Sequence, residues 1–473
     1  MNSGLEKSEK PIFNPGSFKD PEGRVFEYRG SVFRAMTKRA VERMIQLEKN
    51  GTIADMVSCG LLIPSETLVA KEANLNFPGV GPIIMKHAKI PVITYPCEWS
   101  FDMMRDAARV TLKLLLLCIA RGLTLKDATA FNVSFYQGRM VFFDTLSIQP
   151  YVEGAPWEGY AQFCREFLFP LMLTSYREVD FQPALKASLK GIAVNDISRL
   201  LRPRDKLRIA AFKHVFLQGY LDRSFGATDQ EMRPHFEKNN FSVGMIEANV
   251  KSLCRTVEDF RYSPKSSVWG DYESRNTYSA DDNSAKHGFV RDAVTKLKPS
   301  RLVDLGGNTG AYCLPLVSLV DQIICVDVDP VAINTLYGKL KVEEISNVVP
   351  VLGDLLEPTP AMGWNLLERG SFFDRIGGDG FLALALVHHI CIGGNVPISY
   401  FVEVLRKIAA AGVVEWVDRG DPMVKKLMRN RQDVFTAYTW ENFRASLEKH
   451  FLIGDIVETH GGSRRLCLLE VLA

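Results

Sequence analysis

Short, almost uninterrupted apolar runs alternate with helical patterns near the C-terminal end of this 473-residue chain. Strands that are apolar on both faces belong to a parallel sheet covered by helices on its two sides. We therefore predict an α/β, doubly wound, mostly parallel sheet over residues 286–473, closed by an antiparallel hairpin. The five preceding strands of this sheet are predicted at 301–304, 322–327, 348–352, 380–386 and 412–417.

The remainder of the chain is long enough for a second domain, because a single hydrophobic core stops growing near about 250–300 residues. Residues 1–24 are polar and are predicted to form a flexible tail. Residues 25–235 are predicted to form an α+β or helical accessory domain. Residues 236–285 turn to Ser, Asp, Asn and Tyr, which predicts a linker between the two domains.

Charge and cysteine usage disfavour several classes of protein. The 57 basic and 55 acidic side chains leave a formal charge of +2, so no global field attracts nucleic acid or an anionic membrane. The nine cysteines are scattered without a C-x-x-C pair, which favours reduced thiols over a metal site. No apolar run reaches the roughly 20 residues of a membrane helix. We expect a cytoplasmic protein with no bound metal.

The stretch VDLGGNTGAY places a glycine-rich turn directly after a predicted strand. Gly306, Gly307 and Gly310 follow Asp304 in the order D-x-G-G-x-x-G, and Asn308 stands where the second glycine of a dinucleotide fingerprint would be. The usual dinucleotide order is G-x-G-x-x-G. The spacing therefore argues against a nicotinamide cofactor. The glycines of this turn either allow a ligand to approach the backbone or serve packing alone.

The turn resembles the first motif of class I S-adenosylmethionine (SAM) methyltransferases, in which an acid ends the first strand and the glycines lie under the methionine part of the cofactor. The resemblance assigns cofactor binding to Asp304, Gly306, Gly307, Asn308 and Gly310. Asp327, followed by Val328, matches the family's acid whose two oxygens accept both ribose hydroxyls. Asp354 matches the acid that accepts from the adenine amino group, with Leu355 beside the ring. The resemblance implies SAM as the cofactor and a seven-stranded Rossmann-like methyltransferase sheet.

Two histidines end the fourth strand, GFLALALVHHI, where the acceptor pocket of this family opens. His388 and His389 are candidate catalytic residues, because an imidazole can take a proton from an acceptor or orient it. The alternative is a buried, structural imidazole. The chain lacks the N-P-P-[YF] signature of enzymes that methylate nucleic-acid amines, so a small molecule is the favoured acceptor, at O or N. A protein acceptor stays open, and nucleic acid is disfavoured.

An aromatic segment precedes the first helix of the predicted methyltransferase domain. In similar methyltransferases a segment in this place closes over SAM, and its rings shield the sulfonium by cation–π contact. The resemblance assigns this lid role to Trp269, Tyr272, Tyr278 and Lys286, with Tyr278 as a cofactor contact. The alternative is a packed linker.

The N-terminal half contains a second constellation, Asp127, Asn132 and Asp144. Its spacing resembles the catalytic loop and metal-binding acid of kinase-like proteins, including the aminoglycoside-phosphotransferase-like ones. There the first Asp positions the acceptor hydroxyl, and the Asn and last Asp hold magnesium. Leu125 stands where His is usual, Thr-Leu follows the last acid in place of Phe-Gly, and a glycine-rich phosphate loop is missing.

Several roles for this half remain open: a degenerate kinase-like scaffold, substrate platform or nucleotide binder, an unrelated helical domain, or an active phosphotransferase. The whole layout resembles bacterial nodulation-associated methyltransferase-like proteins. The sequence thus favours a SAM-dependent methyltransferase. The alternatives are a non-catalytic SAM-binding module that recruits a partner and an ATP-dependent phosphotransferase.

Overall fold

Two large sheets organise the chain, a five-stranded one in the N-terminal half and a seven-stranded one in the C-terminal half. They are seen in a computed structural model. The residues that the structure describes are 10–73, 75, 77–217, 242–263, 280–429 and 432–472.

The N-terminal sheet is antiparallel, with the strand order β1-β2-β3-β5-β4. A hairpin joins β2 and β3, and Arg29 and Gly30 in its turn both have positive φ, as a tight hairpin requires. Helices α1 and α2 lie between β3 and β4 in the chain. The bounds are β1 Ile12–Phe13, β2 Gly23–Tyr28, β3 Ser31–Met36, α1 Lys38–Lys49, α2 Thr52–Ser58, β4 Ser65–Val69 and β5 Ile83–His87.

A long buried helix, α3 (Phe101–Ile119), forms the centre of the N-terminal half. Two short ribbons and further helices surround it. None of the described helices combines the length and hydropathy that a membrane span requires. The bounds are β6 Leu123–Leu125, β7 Val133–Tyr136, β8 Arg139–Phe142, β9 Ile148–Pro150, α4 Tyr160–Phe163, α5 Phe169–Arg177, α6 Gln182–Ala187, α7 Val194–Leu200 and α8 Ile209–Ala211.

The segment predicted as a linker contains a helix, α9 (Val243–Asp259). One apolar face of this helix is buried, with Val250 and Leu253 at 0% exposure. Glu258 of α9 lies 3.5 Å from Arg109 of α3, so the helix is part of the N-terminal half.

The C-terminal sheet has the order β12-β11-β10-β13-β14-β16-β15. Strands β10 to β14 are parallel, and β16 inserts antiparallel between β14 and β15. This confirms the α/β, mostly parallel, seven-stranded sheet and its closing hairpin. The bounds are β10 Arg301–Leu305, β11 Gln322–Asp327, β12 Val348–Leu352, β13 Gly380–Ala383, β14 Ala411–Val417, β15 Phe451–Thr459 and β16 Arg464–Val471.

The fourth strand was predicted three residues too long. It ends at Ala383 because Ala385 adopts a left-handed conformation with φ 49°, which takes the chain out of the ladder. Helices cover both sides of the sheet, and the first begins six residues before the predicted boundary of the domain. Their bounds are α10 Ala280–Leu297, α11 Pro330–Val342, α12 Phe372–Arg375, α13 Ile398–Ile408, α14 Pro422–Met428 and α15 Trp440–Leu447.

The two halves share one hydrophobic core and meet along α3 and α11. The Tyr337 hydroxyl donates to Asp106 Oδ2 at 2.8 Å, and the Asn334 amide exchanges two hydrogen bonds with Asp102. Since α11 directly follows β11, the carboxyl edge of the sheet is fixed relative to the N-terminal half.

Candidate functional site

The glycine turn after β10 crosses the end of β11. The amides of Gly306 and Gly307 both donate to Val326 O, at 2.8 and 3.1 Å. Gly306 and Gly310 have φ of 75° and 88°, a region that glycine enters without steric strain. A Cβ on Gly306 would meet nothing closer than the Leu386 side chain at 3.5 Å. The backbone at Gly306 is therefore open to a ligand, whereas the next glycine is not.

Gly307 is required by packing. A Cβ at this position would lie 2.4 Å from Cys325 Sγ and 2.7 Å from Asp304 Oδ2. Gly307→Ala is expected to reduce the free energy of unfolding by about 1–3 kcal/mol, the usual penalty for overpacking. Urea unfolding measures this loss.

Gly338→Ala is the matched control, since Gly338 lies within α11 and a Cβ there meets no atom within 4 Å. Alanine in a helix is better than glycine by roughly 0.5–1 kcal/mol, so this variant should be slightly stabilised. Equal effects of the two substitutions would contradict the packing role of Gly307.

Asp304 lies beneath the turn, with only 2% of its surface exposed. Burial raises the pKa of its carboxyl to about 7. Its Oδ2 accepts no hydrogen bond from the described residues. The thiols of Cys313 and Cys325 lie beside it, and all three ligand atoms fall within 4.8 Å of one another. Hydrogen bonding to Cys313 and burial raise the pKa of Cys325 well above its usual value, which opposes the thiolate that a metal needs.

Asp327, at the end of β11, connects the turn to the next strand. Its Oδ2 accepts from the Asn308 amide at 2.9 Å and its Oδ1 from the Asp329 amide at 2.8 Å. Its backbone carbonyl accepts from the Gly353 amide, also at 2.9 Å. Burial raises the pKa of this carboxyl, although both amides oppose the rise. The neighbouring Val328 is 51% exposed, so an apolar side chain is accessible beside the carboxylate.

Asp354 lies in the loop after β12, partly exposed, and its Oδ1 accepts from the Leu356 amide at 2.8 Å. Leu355 beside it is partly buried. Through the Gly353 amide this loop is bonded to the end of β11. The structure thus brings the predicted residues of three adjacent strands to one edge of the sheet.

His388 and His389 follow β13, and their rings lie 4.1 Å apart. His388 is fully buried, and neither of its ring nitrogens has a hydrogen-bond partner among the described residues. Burial lowers the pKa of His389 to about 4 and that of His388 well below its usual value. Both imidazoles are therefore neutral at pH 7, and only His389 is partly exposed.

A buried cluster of charges lies beside these histidines. Lys286 Nζ is 2.7 Å from Glu415 Oε2, and the same oxygen accepts from the Ala385 amide at 2.8 Å. Arg464 lies 3.6 Å from the other Glu415 oxygen and 2.8 Å from Asp421. Sequence reasoning missed this cluster. The signal that could have revealed it is the presence of an acid, Glu415, and a base, Arg464, in the largely apolar strands β14 and β16.

Lys286 was predicted to belong to the lid, but its side chain is 2% exposed and is fixed by Glu415. Its ammonium group also lies 4.6 Å from the centre of the Tyr312 ring. The aromatic residues predicted to form the lid, Trp269, Tyr272 and Tyr278, lie outside the described residues.

Two residues of the N-terminal constellation, Asn132 and Asp144, are in contact. Asn132 Nδ2 lies 3.3 Å from Asp144 Oδ2, and the Ser147 hydroxyl donates to the same oxygen at 2.6 Å. The other oxygen, Oδ1, lies 2.6 Å from Arg34 of β3, a cation that sequence reasoning did not identify. Burial opposes ionisation, but Arg34 and these hydrogen bonds hold the pKa of Asp144 below its usual value. Burial raises the pKa of Asp127, as does the nearby Asp144.

Several solved structures have a weak likeness to the chain. One is the N-methyltransferase NodS from Bradyrhizobium japonicum WM9, with 12% identity over 41% of this chain and 99% of that one, at a TM-score of 0.31. Another is magnesium protoporphyrin IX methyltransferase from Synechocystis PCC 6803 with bound SAM, with 14% identity, 44% and 87% coverage and a TM-score of 0.30. The bifunctional kinase-methyltransferase WbdD has 16% identity, 43% and 42% coverage and a TM-score of 0.31.

A full-length relative is more informative. No family model matches the chain. The nodulation protein NoeA of Rhizobium meliloti (strain 1021) is 32% identical over 457 residues, which cover 96% of this chain and 95% of that protein. An identity of this size over both whole chains shows common descent. The chain therefore belongs to the family of the nodulation protein NoeA.

Proposed function

We propose that the chain is a class I SAM-dependent methyltransferase that acts on a small-molecule acceptor, at oxygen or nitrogen. One observation carries the proposal: the glycine turn, Asp327 and the Asp354 loop meet at the carboxyl ends of three adjacent parallel strands. Backbone hydrogen bonds link them, from Gly306 and Gly307 to Val326 and from Gly353 to Asp327. Ligands of open α/β sheets bind at this edge.

The residues at this edge fit SAM, which supplies a methyl group on a sulfonium when bound. The open backbone at Gly306 accommodates the methionine part. Each oxygen of Asp327 accepts one amide, and a carboxylate has about four acceptor sites, so both ribose hydroxyls still find an acceptor. Val328, Asp354 and Leu355 take the adenine. Gly307, Asn308 and Gly310 shape the turn.

We assign the acceptor site to the region of His388 and His389. A neutral imidazole whose pKa is lowered to about 4 is a weak base at pH 7. We therefore propose that His389 orients the acceptor through a hydrogen bond, and that the buried ring of His388 packs against the His389 ring and fixes its position. Methyl transfer is an in-line displacement, for which alignment of acceptor and methyl group supplies much of the acceleration.

Calorimetric titration with SAM and with S-adenosylhomocysteine tests the cofactor assignment. We expect both to bind, and silence toward both ligands would refute the proposal. Acceptor-dependent release of S-adenosylhomocysteine from SAM would then exclude the alternative of a non-catalytic SAM-binding module.

A second candidate function, ATP-dependent phosphotransfer, is favoured by one observation, the contact of Asn132 with Asp144. Arg34 opposes this function, because its guanidinium already neutralises Asp144 where a divalent cation would bind. Magnesium-dependent ATP binding that survives Asp144→Ala would exclude this site.

Arg34→Met is expected to strengthen Mn²⁺ binding in the presence of ATP by at least about tenfold. The reason is that a fixed positive charge repels a unit charge about 4 Å away by roughly 4 kcal/mol at an effective dielectric constant of ~20, and Mn²⁺ carries two such charges. Titration followed by Mn²⁺ paramagnetic resonance measures the change. Arg34→Lys keeps the charge and serves as the control, and the gain should vanish in Arg34→Met/Asp144→Asn. Unchanged Mn²⁺ affinity in Arg34→Met would show that Arg34 does not block the site.

A further inference from the structure

The loop that carries Asp354 is held from outside its own sheet. We call residues 353–359 the adenine-side loop. Lys186 of the N-terminal half donates to the carbonyl of Glu357 in this loop. At the end of the loop, the Thr359 hydroxyl lies 3.9 Å from the thiol of Cys97, also of the N-terminal half.

The adenine-side loop is also fixed to α12, the short helix that follows it. The Phe372 amide donates to the Thr359 carbonyl at 2.8 Å. At the other end of the loop, Gly353 packs so closely on the Phe372 ring that a Cβ there would lie 2.8 Å from it. The position of α12 therefore determines the position of both ends of the loop.

Arg375 anchors α12 in the N-terminal half. Its guanidinium donates to both carboxylate oxygens of Glu98, to the carbonyl of Ile93 at 2.7 Å, and lies 3.8 Å from the centre of the Tyr95 ring. Glu98 is 0% exposed and the Arg375 side chain 10% exposed. Glu98 is itself oriented, because its Oε2 accepts from the Tyr95 amide at 2.9 Å.

A buried ion pair is a weak source of stability, since apolar side chains of similar size often serve as well. What a bidentate arginine–carboxylate pair adds is a fixed relative orientation of its two partners. Here the partners are residues 93–98 of the N-terminal half and the helix that holds the adenine-side loop. The oriented helix, α12, is thus the element that holds the loop with Asp354.

We infer that the N-terminal half completes the adenine side of the cofactor site, with Arg375 and Lys186 as positioning residues for the adenine-side loop. This inference rests on the proposed function. It assigns the N-terminal half a role in cofactor recognition that does not depend on its own polar constellation.

The test compares two ligands in the full chain by calorimetry: S-adenosylhomocysteine and S-inosylhomocysteine, whose purine carries oxygen in place of the amino group. Arg375→Lys keeps the charge beside Glu98 but not the bidentate geometry, and Lys186→Met removes one contact at the protein surface. The control is Lys341→Met, which breaks another ion pair between the halves, Lys341 to Asp106 at 2.6 Å, away from the adenine-side loop.

We expect Arg375→Lys and Lys186→Met to bind S-adenosylhomocysteine at least about fivefold more weakly, the effect of losing one well-placed hydrogen bond. Their affinity for S-inosylhomocysteine should stay within about twofold of the original, and Lys341→Met should change neither ligand. The inference would be overturned if Arg375→Lys and Lys186→Met weakened the binding of both ligands equally, or if Lys341→Met had the same effect as they do. It would also be overturned if the unsubstituted chain bound S-adenosylhomocysteine and S-inosylhomocysteine with equal affinity. Failure of the unsubstituted chain to bind S-adenosylhomocysteine would instead refute the proposed function, and the inference with it.

Discussion

Asp327→Ala is expected to weaken SAM binding roughly ten- to hundredfold, because a hydrogen bond to a charged acceptor contributes about 1.5–3 kcal/mol. The substitution removes the proposed acceptor of the ribose hydroxyls. It also removes the acceptor of the Asn308 amide, which holds the glycine turn against β11. Calorimetric titration of the variant with SAM measures the loss.

Two further variants separate cofactor binding from folding. Asp327→Asn keeps the size of the side chain and one acceptor oxygen, so it should lose less affinity than alanine. Asp329→Ala removes the adjacent acid, which caps α11 through the Val331 amide at 2.8 Å. We expect this control to lose about 1 kcal/mol of stability while SAM affinity stays within about twofold. A dissociation constant within twofold for Asp327→Ala would show that the ribose assignment is wrong.

The positions of the parallel strands β10 to β14 were predictable because these strands are buried on both faces. Continuous apolar runs identify such strands, and those of β11 and β12 match their predicted bounds residue for residue. The glycine turn was equally readable, because positive φ at Gly306 and Gly310 restricts the residue type locally.

The features that escaped prediction depend on partners far apart in the chain. The end of β13 is set by Ala385, whose amide donates to Glu415, 30 residues away. Arg34 and Asp144 are separated by 110 residues, and nothing in the local pattern of β3 marks Arg34 as the partner of an acid. Periodicity indicates which face of an element is buried, but it does not identify the polar group from elsewhere in the chain that contacts that face.

Glu415→Ala is expected to lower the free energy of unfolding by about 3–5 kcal/mol, the usual effect of removing one partner of a buried ion pair. Lys286 and Arg464 lose the carboxylate that they share, and their side chains are only 2% and 1% exposed. The Ala385 amide loses its acceptor as well. Because this cluster joins α10, β14, β16 and the end of β13, urea unfolding should show the loss for the whole C-terminal half.

Glu415→Gln distinguishes the two contributions, because the amide keeps an acceptor for Ala385 but carries no charge. We expect it to be more stable than Glu415→Ala and less stable than the unsubstituted chain. Glu448→Ala is the matched control: Glu448 pairs with Arg444 at 2.8 Å, but both side chains are more than half exposed. Exposed pairs contribute about 0–1 kcal/mol, so a loss in Glu415→Ala no larger than in Glu448→Ala would mean that the buried cluster does not hold the sheet edge together.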